Sequence, residues 1–349
     1  MNKKTGTGLS VLAVAIVAIV LIGEYAVYAD GLYRYDADVQ ADGAFTVSAS
    51  GSENYSVVLT DNGGFTAVSS LYIYYDSSYG SNVKSVTVEI GAKGLTQDYY
   101  LSQLVNTLKY RGLTDVTYVN AEELAAALAA DAASGTTAGK GLVVINGALP
   151  DTVYTGSSGD LILTWIHAGG SLYWAGGLLG AYVAHSDKTV EAVTGDYQCL
   201  FFTADCLNTS ETVTAFSEIA ENSYRQDLSL MNNVVTYGVA TAKLTAGTYL
   251  AAGYTENGYA SIACVQCGNG MVCIMGGDYS NNQRSDLATV ICAGLCWSSQ
   301  ELDCQTGSVT RGTANGDLTV PSTHGKLVAY ALLGGCFSVY GKSFTFESS

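Results

Sequence analysis

With 349 residues, 48% of them apolar, the chain can bury one large core or two smaller ones, so disorder is excluded as its main state. Only 13% of residues are charged and the formal net charge is −16, which excludes nucleic acid as a partner because phosphate backbones are repelled. Glycine (40 residues) and tyrosine (25) are abundant while proline is nearly absent (2), which describes a hydroxyl-rich, weakly charged surface unlike that of a typical cytosolic enzyme.

Lys3 and Lys4 precede an uninterrupted run of small, mostly apolar residues from Leu9 to Gly23, closed by Glu24. The basic flank is expected to stay on the cytoplasmic side and send the body across the membrane. Two fates of residues 1–29 are open. Val27-Tyr28-Ala29 supplies the small residues that a signal peptidase needs. Uncut, Leu9 to Tyr28 forms a helix that spans a bilayer core of about 30 Å at roughly 1.5 Å per residue. A third reading takes Lys3 to Gly8 as a prepilin-type cleavage site, because this basic and glycine-containing start resembles that of archaeal pilins and archaellins. The glutamate expected near the fifth position after the cut is replaced by Leu12 or Ala13. In each case the expected partner is the membrane, through the amino-terminal helix, and the body faces outward or is extracellular.

Residues 30–85 read as β structure. Phe45–Ser50 alternates, Tyr55–Thr60 is β-branched, Asp61-Asn62-Gly63-Gly64 is a turn signal, and Leu71–Tyr75 makes a further strand. Asp36, Asp38 and Asp42 do not have the spacing of a calcium loop and are read as acidic turn residues.

From Val86 the periodicity changes, and residues 86–299 are expected to form an α/β domain. Val86–Ile90 reads as its first strand, and Tyr100, Leu101, Leu104, Val105 and Leu108 mark a helix that stops at Arg111-Gly112. Asp115–Val119 is the next strand, and Asn120 caps an alanine-rich helix with Glu122 and Glu123 in its first turn. Gly141–Gly147 is a fully buried strand, Asp160–Gly169 a crossover helix, and Ser171–Ala175 the next parallel strand. Beyond it, Gln198–Thr203 is read as a strand or insertion segment and Ser210–Asn222 as a helix. Strands are expected at 248–254, 259–267 and 271–276, followed by a last helix over Asp286–Trp297. Repeated β-α units imply a parallel sheet with right-handed crossovers. In residues 300–349 the β pattern returns, and this tail is expected to pair with residues 30–85 as one discontinuous β domain.

The Gly141–Gly147 strand, the Leu161–Gly177 helix-strand unit and the Gly270–Gly277 strand together resemble class I glutamine-amidotransferase-like domains, over about Val86 to Trp297. The trehalose-utilisation (ThuA-like) branch, often without a catalytic triad, is the nearest resemblance. The resemblance implies a flavodoxin-like or amidotransferase-like parallel sheet, with a catalytic cysteine in the tight turn after the strand. Here that turn carries Gly176 and Gly177, and no cysteine precedes Cys199.

The remaining candidates are few. His185 follows the glycine turn, and with Asp187 it could line a pocket there, although neighbouring side chains diverge and cannot form a triad by themselves. The nine cysteines all follow residue 198; Cys199 with Cys206 and Cys296 with Cys304 are the nearest candidate disulfide pairs, while Cys292 and Cys296 are expected to share a helix face. Cys264-Val-Gln-Cys267 has metal or redox spacing but lacks a matching second pair, so no metal site and no cofactor are expected. Asn54 and Asn208 lie in glycosylation sequons. The expected role is that of a non-catalytic cell-surface protein of archaeal type, structural or adhesive, meeting other surface proteins or glycans. An exported hydrolase working at the carboxyl edge of the sheet and a pilin-like filament subunit are the alternatives.

Overall fold

The computed structural model describes residues 32–41, 45–50, 55–63, 65–82, 88–90, 93–95, 97–175, 177–202, 207–208, 218–219, 224, 228, 230–232, 238–256, 258–276, 281–301, 307–309, 315–320, 323–333 and 343–348. The apolar segment 9–28 lies outside them. Among the described residues no helix is long and apolar enough to cross a membrane.

The chain is a mixed α/β protein around a largely parallel sheet. Its strands are β1 (Ser70–Tyr74), β2 (Asp115–Val119), β3 (Lys140–Val144), β4 (Ser171–Ala175), β5 (Tyr249–Ala251), β6 (Ile262–Cys267) and β7 (Gly270–Met275). They lie in the order β2-β1-β3-β4-β7-β6-β5. The first five in this order are parallel, while β6 and β5 add an antiparallel edge. Every residue of β4 and β7 is buried, which explains why they read as continuous apolar runs instead of alternating ones.

Helices cover both faces. On one, α1 (Gln97–Tyr110) sets Tyr100, Leu101, Leu104, Val105 and Leu108 against Leu71, Ile73, Val143 and Tyr173, together with Leu287 and Ile291 of α4 (Asn281–Ala293). On the other, α2 (Ala121–Ser134) and α3 (Leu161–His167) place Leu124, Leu128, Ile162 and Trp165 over Leu142, Val144, Leu172 and Trp174. Helix α2 begins where the sequence says it should. The Asn120 side chain accepts from the Glu123 amide at 2.9 Å, and Glu123 accepts from the Asn120 amide at 3.0 Å. It ends at Gly135, whose φ of +68° suits a residue without a Cβ.

Four expectations are corrected. The first parallel strand is Ser70–Tyr74, between β2 and β3; Val88–Ile90 instead pairs antiparallel with Lys93–Leu95. The tyrosines of Leu71–Tyr75 disguised it, because a tyrosine can bury its ring while its hydroxyl finds a partner. Tyr72 is half-buried against the core and donates to Asp131 at 3.1 Å. Gln198–Phe201 forms a short helical turn in place of a strand. Glu218-Ile219, inside the expected helix 210–222, pairs as strand with Tyr254 and Thr255. The last helix spans Asn281–Ala293 and stops at Gly294, where φ is +59°. Cys296 therefore lies beyond the helix and does not share a helical face with Cys292.

The strands near the two ends of the described chain pair with one another. Leu32–Ala41 runs antiparallel to Thr323–Leu333, which also pairs with Tyr55–Asp61. Phe45–Ser50 lies between Asn315–Val320 and Ser343–Ser348.

One polar cluster ties α2 to the sheet and to α3. Asp131, buried on α2, accepts hydrogen bonds from Tyr72 of β1, Lys140 of β3 and the Trp165 indole of α3, the last at 3.3 Å. Removing the carboxylate leaves the buried Trp165 indole N–H without its acceptor, while the partly exposed Lys140 ammonium can turn to water. Asp131→Ala is expected to cost about 2 kcal/mol, measured as a shift in the urea unfolding midpoint at constant slope.

Candidate functional site

In an open parallel sheet, ligands are received at the carboxyl ends of the strands, where neighbouring connections leave to opposite sides. Here that place lies between β1 and β3. The segment after β1, residues 76–82, crosses it. Asp76 accepts from the Ser78 amide at 2.9 Å and hydroxyl at 2.6 Å, and its other oxygen accepts from the Ala121 amide at the start of α2 at 3.1 Å. Burial opposes ionisation of Asp76, yet these hydrogen bonds prevail and hold its carboxyl below the usual value. Farther along, the Ser81 hydroxyl and the Asn82 amide both donate to the Asn146 carbonyl beyond β3, each at 3.0 Å. The crevice is thus bridged by the protein's own backbone.

The glycine turn after β4 lies next to it. Gly176 is outside the described residues. Gly177 has φ of +108°, its carbonyl accepts from the Trp174 indole at 2.7 Å, and a Cβ placed on it would lie 3.7 Å from the Cα of Gly147. Gly147, with φ of +71°, and Gly177 both take left-handed conformations that suit a residue without a Cβ, and their two turns lie side by side.

His185 follows in a small sheet made by Leu149-Pro150, Tyr182–Ala184 and Val190–Ala192. Its carbonyl accepts from the Gly80 amide at 3.1 Å, which fastens the crossing segment to this sheet. The side chain borders a cleft of about 280 Å³ with Asp151, Thr155, Glu191 and Val193. Nδ1 lies 2.8 Å from Asp151 and Nε2 lies 3.5 Å from Glu191. The hydrogen bond with Asp151 is the main reason that His185 holds its proton above the ordinary imidazole range, and Glu191 adds to it. Tyr79 approaches the same carboxylate, and burial followed by the Asp151 charge raises its hydroxyl.

Asp187 does not join this group. Its carboxylate accepts from the amide and hydroxyl of Thr189, which closes the turn and lowers its own titration. The turn also holds Lys188 at φ of +68°. Thr155, the hydroxyl beside the cleft, donates to Asp160 at 2.8 Å. The structure therefore gathers Gly177, His185, Asp151 and Glu191 at one end of the sheet and assigns Asp187 to its own turn. Asp151 and Glu191 were not singled out from the sequence. The only signal for Asp151 was its position just after the Leu149-Pro150 strand.

The other candidates divide by location. Cys206, Cys304 and Asn54 lie outside the described residues, and Asn208 stands in a two-residue strand paired with Gly238. Cys199 is exposed and Cys296 buried, and no disulfide joins the described cysteines. Among the described residues no histidine, cysteine and carboxylate group fit to hold a metal ion occurs.

An imidazole with both nitrogens turned to carboxylates is stabilised as a cation, so its stabilising effect has a pH signature. His185 is raised in the folded state, so its contribution is complete below about pH 6.5 and fades as the pH climbs through the folded value. His185→Gln is expected to lower the thermal midpoint more at about pH 6 than at about pH 9. Equal losses at both would show that the carboxylates contribute nothing through the charge.

No protein-family model matches the chain, and no curated protein does. Among solved structures it is similar to the exo-β-1,4-mannosidase Op5Man5 from Opitutaceae bacterium strain TAV5, at 11% identity and a TM-score of 0.33, over 66% of this chain and 35% of the mannosidase. The chain thus spans about a third of that enzyme's length. It is also similar to the cytoplasmic protein STM1381 from Salmonella typhimurium LT2, at 16% identity and a TM-score of 0.35, over 64% of this chain and 96% of that one. A third is the β-galactosidase from Bacillus circulans sp. alkalophilus, at 10% identity and a TM-score of 0.36, over 76% of this chain and 41% of the enzyme.

Proposed function

We propose that the chain is a non-catalytic surface protein, membrane-tethered or secreted, that presents a flavodoxin-type α/β body through protein or glycan contacts. The observation that carries this reading is the crossing of the β1/β3 crevice by residues 76–82, tied down at Asn146, Ala121 and His185. A site that turns over substrate needs an open place for the reacting atom beside a base and a nucleophile. Here the base candidate is held by two carboxylates, and the nearby hydroxyls of Thr155 and Thr189 already donate to Asp160 and Asp187.

The order of the parallel strands supports the flavodoxin-like part of the reading. Counted along the chain, they stand 2-1-3-4-5, the arrangement of flavodoxin-like sheets. The amidotransferase-like resemblance is consistent with this order, with Gly176 and Gly177 in place of the attacking cysteine. Pairing of Leu32–Ala41 and Tyr55–Asp61 with Thr323–Leu333 supports a β unit assembled from both flanks of the body, next in sequence to the apolar segment. That segment supports export, with the membrane or the cell exterior as the destination. The exported hydrolase remains the second reading, and the observation in its favour is the His185–Asp151 pair at the carboxyl side of the sheet.

Two measurements test the proposal. Proteinase K added to intact cells that make the protein should degrade the body while a cytosolic marker survives; protection of the body until lysis would overturn the outward location. Purified full-length protein should show no hydrolysis of ester, amide or glycoside substrates that depends on His185. Turnover that falls at least tenfold in His185→Ala would overturn the non-catalytic reading and establish the hydrolase.

A further inference from the structure

Strands β6 and β7 form a hairpin around Gly268-Asn269, with Gly268 at φ of +62° in the first central position. Such a two-residue turn fixes register, and the register sets Cys264 directly opposite Cys273. The pair that flanks the turn, Cys267 and Gly270, takes the hydrogen-bonded position. Alternation along an antiparallel ladder then gives the same kind of position to Val265 and Val272, and the non-hydrogen-bonded kind to Cys264 and Cys273. In a non-hydrogen-bonded pair the Cα atoms approach to about 4.5 Å, at the short end of the range of roughly 4.4–6.8 Å that a disulfide tolerates.

Both side chains also point the same way. Cys264 and Cys273 are fully buried in the core under α1 and α4, whereas Cys267 belongs to the core on the opposite face of the sheet. We propose that Cys264 and Cys273 are a cross-strand disulfide site, reduced in this structure, that fastens the antiparallel edge to the parallel sheet when the chain folds under oxidising conditions. It involves neither of the pairs expected from sequence spacing.

The chemistry balances with a small disulfide such as oxidised glutathione as the oxidant. One cysteine thiolate attacks it, giving a mixed disulfide and releasing one glutathione thiol. The second cysteine thiolate attacks the protein sulfur of that intermediate, forming the Cys264–Cys273 bond and releasing the second thiol. The two thiol protons and two electrons of the protein end on the two glutathione molecules. In the finished fold this exchange is suppressed, since the neighbouring Cys273 thiol and burial push the Cys264 thiol well up and neither sulfur is within reach of a disulfide in solution. The bond therefore forms while the hairpin is still open to solvent, and burial then shields it from reductants. None of this depends on the proposed surface role, because it requires only the redox couple.

Cyanogen bromide reads the result directly, because cleavage in acid does not shuffle disulfides and the methionines lie in useful places. Cutting after Met231, Met271 and Met275 separates Asn232–Met271, with Cys264 and Cys267, from Val272–Met275, which carries Cys273 alone. The full chain is synthesised cell-free in mild detergent with an oxidised and reduced glutathione couple, its remaining thiols are alkylated under denaturing conditions, and the fragments are weighed. The expected result is Val272–Met275 linked to Asn232–Met271, with the link unchanged in Cys267→Ala. Tandem fragmentation of the wild-type product places the link if that variant fails to fold. Recovery of Val272–Met275 alkylated, carrying glutathione, linked through Cys267, or joined to the fragment with Cys292 and Cys296 would each overturn the proposal.

Discussion

The layering of the α/β body depends on the close approach of backbone to its neighbours where the inner strands begin. A Cβ placed on Gly270 would lie 2.2 Å from the Gly170 carbonyl oxygen and 2.3 Å from that of Ile166. One on Gly170 would lie 2.4 Å from the Trp165 ring, and one on Gly141 would lie 2.6 Å from Leu71. At Gly270 the obstructing atoms are backbone, so no side chain fits there, and glycine is what allows α3 to settle against β7. Once the layers meet, Trp165, Trp174 and Tyr173 are buried completely. Each large apolar side chain so removed from water contributes on the order of 2 kcal/mol, which offsets the entropy of holding the strands in place.

The same tight layering pushes polar chemistry to the strand ends. Asp76, Asp160 and Asp187 all accept bonds from amides and hydroxyls within a few residues, so they shape turns. Asp131 and the Asp151–His185–Glu191 group act over longer range. The first links both sides of the β1/β3 region to α3, and the second binds the small outer sheet to itself. Asp286 on α4 does a comparable job, accepting from the amides of Met231 and Asn232. A chain with few charges thus uses them as connectors between elements whose apolar faces carry the packing.

Much of this architecture was legible beforehand because its signals are local. The spacing of Tyr100, Leu101, Leu104, Val105 and Leu108 specifies one buried stripe, and Asn120 with Glu123 can satisfy helix-end amides wherever the helix lies. The Gly141–Gly147 run announced double burial through its lack of polar alternation, and Ser171–Ala175 read as the parallel strand that follows the crossover helix. The tyrosine-rich strand at 70–74 was placed wrongly, because a tyrosine looks the same in sequence on an exposed face and in a core with a hydroxyl partner. The end of α4 was set too late, since apolar residues continue past Gly294 into a buried but non-helical segment.

The sequence alone determined the α/β alternation, the capped helix, the buried strands and the glycine turn after Ser171–Ala175, because each follows from the conformational preferences of a few adjacent residues. Only the tertiary structure decided which strand lies beside which, that residues 76–82 cross the crevice, that His185 meets Asp151 and Glu191 instead of Asp187, and that Cys264 faces Cys273. These are contacts between segments brought together by sheet order and register, and no local preference encodes them.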